Sequence, residues 1–214
     1  MKKQLIIASL MGLFFSLPVF AEPDADRPSI PLYVGAYSGY GHISGGYKQD
    51  GDMVQGRFTL GLHFAEYRRW TLGGEVGIQS GNTMRLSADP AIINAAGGLP
   101  IQSTLKPLVD VLFTVKAQIW ESQPLFYILK GGVAYRQLTL NDRSSSRDSL
   151  KKINPEIQMG LGLNVTERVV ITALYQGIYS HDNAGIKLDH AGDVTLSHIP
   201  TEQAGLLGIE YSFS

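Results

Sequence analysis

The stretch GLLGIEYSFS, residues 205–214, carries two alternating faces. Leu207, Ile209, Tyr211 and Phe213 share one parity; Leu206, Gly208, Glu210 and Ser212 share the other. A period of two marks a strand whose faces meet different surroundings. Here one face is wholly apolar and ends in two aromatics, and the other holds a carboxylate and a glycine. A chain end in water is ordinarily polar and frayed, so this face is predicted to meet something other than water.

The same alternation recurs upstream in LYVGAYSGYGHI (32–43), VQGRFTLGLHFA (54–65), WTLGGEVGIQSG (70–81) and LVDVLFTVKAQIW (108–120). It continues in LFYILKGGVAYRQL (125–138), INPEIQMGLGLNV (153–165), VVITALYQGIYS (169–180) and EQAGLLGIEYSF (202–213). Each is close to the roughly nine to eleven residues with which a tilted strand crosses a bilayer. Within 54–65 the apolar parity is Val54, Phe58, Leu60, Leu62 and Phe64, opposite Arg57, Thr59 and His63. Within 153–165 it is Ile157, Met159, Leu161 and Leu163, opposite Glu156, Gln158 and Asn164.

Export is predicted from the amino end. Lys2 and Lys3 precede an apolar run from Leu5 to Phe20 that Pro18 breaks, and Val19-Phe20-Ala21 offers a small-residue cleavage site. That pattern is a secretory signal peptide over residues 1–21, too short and wrongly flanked for a spanning helix. Residues 22–31, EPDADRPSIP, form a polar, proline-rich leader, and the barrel domain is assigned to 32–214. Removing two lysines leaves a mildly acidic chain with no basic field for nucleic acid. The chain has no cysteine, so neither disulfides nor thiolate chemistry enter.

Alternation alone also fits a soluble β-sandwich, which has one wet face as well. The connections separate the two. They run long, short, long, short: about 43–53, 66–69, 82–107, 121–124, 139–152, 166–168 and 181–200. An antiparallel barrel with both ends on the periplasmic side needs short turns there and longer loops outside. Trp70, Tyr127, Tyr175 and Tyr211 fall near predicted strand ends, where aromatic girdles meet the lipid–water boundary.

LYVGAYSGYG, LKGGVAY and the closing GIEYSF together resemble the eight-stranded outer-membrane β-barrels of Gram-negative bacteria, of the opacity and OmpA types. The resemblance spans almost all of residues 32–214. It implies an all-β, eight-stranded, antiparallel up-and-down transmembrane barrel with short periplasmic turns and four longer extracellular loops. It further implies insertion by the barrel-assembly machinery, which reads a terminal strand ending on an aromatic. One departure is visible, since Ser214 follows Phe213. After the last strand, the peptidoglycan-binding module of the OmpA type is expected to be missing.

The inward parity is charged. Arg57, Lys116, Lys130 and Arg136 are four cations, and Glu75, Asp110, Glu156 and Glu210 are four anions. An eight-stranded barrel is just wide enough inside for side chains to fill. Buried ions there must pair, so these eight are expected to form a polar lumen network rather than a water channel; the alternative is a narrow pore for small ions. Glycines of the same parity, among them Gly61, Gly77, Gly160, Gly162 and Gly208, are expected to make room for the long side chains.

An enzyme reading centres on YSHDNAGI (179–186), which has some resemblance to the motif of outer-membrane lipid A deacylases. Aligning on Asn183-Ala184 puts Ser180 where that family has its histidine and Asp182 where it has its serine. With nucleophile and base both replaced, no catalytic residue is assigned. His181, Asp182, Asp189, His190, Asp193 and His198 in the last loop lack the fixed geometry of a metal site, so neither a metal nor a cofactor is assigned. Arg143, Arg147, Lys151 and Lys152 could meet lipopolysaccharide phosphates, or could simply keep their loop soluble. The apolar stretch AIINAAGGLPI within loop 81–106 predicts either a lid with a short helix around Pro90 to Ala96, or a partner-binding element. The function expected is a structural or recognition role at the cell surface. Its expected partners are outer-membrane lipids and lipopolysaccharide, with a host or surface ligand at the loops.

Overall fold

Period-two patterning becomes twelve strands in the computed structural model, which describes residues 32–44, 51–85, 102–120, 123–141, 149–180, 186–188, 194–196 and 199–213. They are β1 (Leu32–Ile43), β2 (Asp52–Tyr67), β3 (Trp70–Gln79), β4 (Asn82–Arg85), β5 (Gln102–Leu105) and β6 (Leu108–Gln118). Then follow β7 (Leu125–Asn141), β8 (Ser149–Asn164), β9 (Val169–Ile178), β10 (Ile186–Leu188), β11 (Val194–Leu196) and β12 (Glu202–Phe213). Eight of these, β1, β2, β3, β6, β7, β8, β9 and β12, match the eight alternating stretches. Each pairs antiparallel with its predecessor in that series.

The series closes on itself. β1 pairs with β12 over its full length, from Leu32↔Phe213 to Ile43↔Glu202. Closure gives every long strand two partners, and so removes the free edge whose unpaired backbone groups hydrocarbon cannot tolerate. This seam accounts for residues 205–214: the last strand pairs with the first, and its apolar parity faces outward.

The outward face is apolar along every long strand. Val54 is 75% exposed, Leu207 68% and Phe58 66%, and Ile157, Met159, Leu161 and Leu163 are exposed together on β8. A continuous apolar belt of this kind on a folded chain is a lipid-facing surface. The inward parity is sealed, with Arg57, Asp110, Lys130 and Arg136 all at 0%. The molecule is a transmembrane, eight-stranded, up-and-down β-barrel.

Exposed aromatics gather at the short-turn end: Tyr67, Trp70, Trp120, Tyr127, Tyr211 and Phe213. Tyr175 belongs nearer the loop end, where it and Tyr40 both pair with Gly205. The first short turn is Arg68-Arg69 between Tyr67 and Trp70, with Arg68 at φ 54° and its guanidinium 5.5 Å over the Tyr67 ring. In the turn after β8, the Thr166 hydroxyl accepts from the backbone N–H of Val169 at 3.0 Å and of Arg168 at 3.2 Å.

Strand structure reaches further than periodicity predicts. The segment 82–107, expected as loop, contains β4 and β5, which pair with each other, and β5 also pairs with β7. The reason is that β7 runs on to Asn141 and offers β5 a backbone edge where the outward side chains, Thr83, Arg85 and Thr104, are polar rather than apolar. The Thr83 and Thr104 hydroxyls lie 3.2 Å apart across this extension. β10 and β11 form a small separate hairpin within 181–200. Residues 1–31, read from the sequence as signal peptide and leader, the centre of loop 81–106 (residues 86–101), Arg143, Arg147 and all six metal-type residues of the last loop lie outside the described residues.

Candidate functional site

The barrel interior is where the chain concentrates its buried polar chemistry. Arg57 on β2 is the hub. Its Nε and Nη2 donate to the two Asp110 oxygens on β6 at 3.2 and 2.6 Å, a bidentate fork. Its Nη1 donates to Glu75 Oε1 on β3 at 2.9 Å. Glu75 Oε2 accepts from Lys130 Nζ on β7 at 2.7 Å and from the Tyr33 hydroxyl at 2.9 Å. Lys130 Nζ also lies 3.6 Å from Glu210 Oε1 on β12, and Glu210 Oε2 accepts from Lys116 Nζ at 2.8 Å. Arg57, Glu75, Asp110, Lys116, Lys130 and Glu210 thus form one continuous network across five strands. Such density is workable only because nearly every lone pair and proton finds a partner in a site shut from water.

Arg136 and Glu156 stand apart from it. Arg136 donates through Nη2 to Glu202 Oε2 and through Nη1 to the Pro200 carbonyl, each at 2.7 Å. Glu156 Oε1 accepts from Gln158 Nε2 at 2.6 Å and Gln176 Nε2 at 2.7 Å. Glu202, at 0% exposure, is a fifth buried carboxylate, and its Oε1 accepts from Gln55 Nε2 at 2.5 Å and Gln79 Nε2 at 2.8 Å. The four-against-four balance therefore becomes five carboxylates against four cations among the described residues. Glu202 shares the parity of Glu210 on the same strand, and that was the signal available for it.

Two aromatics complete the network. The Tyr37 hydroxyl donates to Glu210 Oε1 at 2.6 Å and accepts from Lys130 Nζ at 3.2 Å. Lys116 Nζ sits 4.8 Å above the Tyr33 ring, and Lys130 Nζ 5.2 Å above the Tyr37 ring. Both tyrosines share the inward parity of Gly35 and Gly39, so their direction was readable; their bonding partners were not. The inward glycines make room chiefly for rings. A Cβ on Gly61 would collide with the Tyr33 ring, on Gly208 with Tyr37, and on Gly162 with Phe126, whereas Gly77 leaves space for the Arg57–Asp110 pair.

The two ends of the lumen differ. A cleft of about 310 Å³ opens at the short-turn end, lined by His63, Lys116, Phe126 and Ser212 among others. His63 stacks on Tyr33 with ring centroids 4.9 Å apart. At the loop end, Ile43, Met84, Leu105, Leu138, Ile178 and Ile199 are each 2% exposed or less, an apolar layer beyond the ions. Between these ends Arg57 and Lys130 are 0% exposed.

Fold and interior together define a class: a closed, eight-stranded outer-membrane-type β-barrel with a lipid-facing belt and a filled polar lumen. The particular likenesses agree. A major outer membrane protein from Thermus thermophilus superposes with a TM-score of 0.53 at 12% identity, over 87% of this chain and 100% of that one. Ail, the attachment invasion locus protein of Yersinia pestis, superposes with a TM-score of 0.51 at 14% identity, over 87% of this chain and 100% of its own. Its complex with the heparin analogue sucrose octasulfate gives 0.51 at 15%, over 86% and 97%. At these identities the likeness establishes the fold. No protein-family model and no curated protein sequence matches the chain.

Proposed function

We propose that the protein is exported through its 1–21 signal peptide, inserted into the outer membrane by the barrel-assembly machinery, and works there as a sealed scaffold that presents four loops at the cell surface. The observation that carries this reading is the interior: Arg57, Asp110, Glu75 and Lys130 cross the lumen as one buried, ion-paired network, which argues against a route for transport. The eight ions named from the sequence serve as structural filling. On a rigid, closed scaffold, recognition falls to the loops.

The loop chemistry favours polyanions. Lys151 is exposed on β8, Lys152 follows it half-buried on the opposite face, and Arg143 and Arg147 precede them in the chain. Basic side chains grouped this closely in the sequence can meet phosphate or sulfate groups by charge-assisted hydrogen bonds. That a barrel of the same fold has been solved with sucrose octasulfate supports testing this chemistry.

The test is binding of lipopolysaccharide and of a sulfated saccharide to the intact barrel in micelles. A variant carrying Arg143→Glu, Arg147→Glu, Lys151→Glu and Lys152→Glu should lose binding while keeping its fold. Equal binding by both proteins would remove these residues from the reading.

A further inference from the structure

The buried charges do not balance. Five carboxylates and four cations of the Lys and Arg type are buried among the described residues. Each of the four cations lies within 4 Å of a carboxylate: Arg57 of Glu75 and Asp110, Lys116 of Glu210, Lys130 of Glu75 and Glu210, and Arg136 of Glu202. Glu156 is the carboxylate left without an ion pair within 4 Å among the described residues; Arg57 and Asp110, already bonded to each other, are charged neighbours at longer range.

Its hydrogen-bond partners are two carboxamides. Gln158 and Gln176 face each other across the β8–β9 register, and both turn their amide nitrogens to Glu156 Oε1. That leaves Gln158 Oε1, Gln176 Oε1 and Glu156 Oε2 all buried with no donor. Asn154, two residues along the same face of β8, donates to the Tyr179 carbonyl at 3.1 Å, and its Oδ1 is likewise without a donor. One carboxylate and three carboxamides therefore present unpartnered oxygens on one patch of the wall. A buried carboxylate in such a place is neutralised either by a proton or by a counter-charge.

We propose that the lumen binds a single monovalent alkali cation at this patch, held by Glu156 Oε2 with amide oxygens of Gln158 and Gln176. Oxygen-only donors select a hard cation. One unit of excess charge matches a monovalent ion, whereas a divalent ion would reverse the imbalance and a soft metal would lack nitrogen and sulfur ligands. The site goes beyond the surface-recognition reading and holds whether or not the loops bind a ligand.

The experiment uses the full barrel folded in detergent, with urea midpoints taken in sodium, potassium and choline chloride at equal ionic strength and pH. The midpoint should rise in sodium or potassium relative to choline. The folding equilibrium constant should grow about elevenfold when the cation stands at ten times its dissociation constant. Glu156→Gln should abolish that dependence. Equal wild-type midpoints in the three salts overturn the proposal and assign the neutralising charge to a proton. Where Glu156→Gln fails to fold, wild-type crystals soaked in thallium(I) decide: an anomalous peak beside Glu156 supports the site, and its absence overturns it.

Discussion

Arg57→Met tests the logic of the lumen most directly. The side chain is 0% exposed and makes three hydrogen bonds, two to Asp110 and one to Glu75. Methionine preserves most of the volume, so the loss is electrostatic rather than a cavity. Glu75 keeps Lys130 and the Tyr33 hydroxyl. Asp110 keeps no hydrogen-bonded cation among the described residues, because Arg57 supplies both of its bonds. Breaking a buried pair from one side costs about 3–5 kcal/mol, since it strands the other charge. The double variant Arg57→Met/Asp110→Asn removes that stranded charge and restores the wild-type excess of one carboxylate. It should recover at least about 1–2 kcal/mol of the loss, the scale of an unsatisfied buried group. Urea unfolding in lipid vesicles, followed by the gel shift between folded and boiled forms, measures both. A single variant within about 1 kcal/mol of wild type, or a double variant no better than the single, would refute the reasoning.

Three other outcomes follow from the geometry. Met159→Arg, on the lipid face of β8, should cost about 2–4 kcal/mol, and Leu163→Arg, paired with Leu125 at the strand end, under about 1 kcal/mol; equal costs in urea titrations would contradict the depth assignment. Gly160→Ala places a Cβ against the Ala173 carbonyl and should destabilise by about 1–3 kcal/mol, whereas Gly74→Ala enters open space on the lipid side and should be neutral or stabilise by about 0.4–1 kcal/mol. A reversed order in a thermal melt would show that the glycine spacing is not steric. Planar bilayers holding the protein should show no steady conductance, and lipid A from cells with and without it should give the same mass profile. A reproducible open level would reinstate the pore, and a deacylated lipid A species would reinstate the enzyme.

The number of strands in the barrel wall, their order and the direction of their side chains were legible in the sequence. Period two is a local property: each residue reports which of two surroundings it meets, and lipid and lumen differ sharply. β1 and β12 match their predicted bounds residue for residue because alternation there runs to the ends of the strands. It failed at 82–85 and 102–105, where paired backbone continues but the outward residues, Thr83, Arg85 and Thr104, are polar, so the two faces no longer contrast.

The partners inside the barrel were decided only by the tertiary structure. Tyr37 reaches Glu210 across 173 residues, and Arg57 reaches Asp110 across 53. Which inward residues share a level depends on the stagger accumulated around the closed sheet, a global quantity that parity does not contain. The charges could be read off as pointing inward, but closure alone determined which were paired. It also brought Glu202 to Arg136, and left Glu156 hydrogen-bonded by amides alone among the described residues.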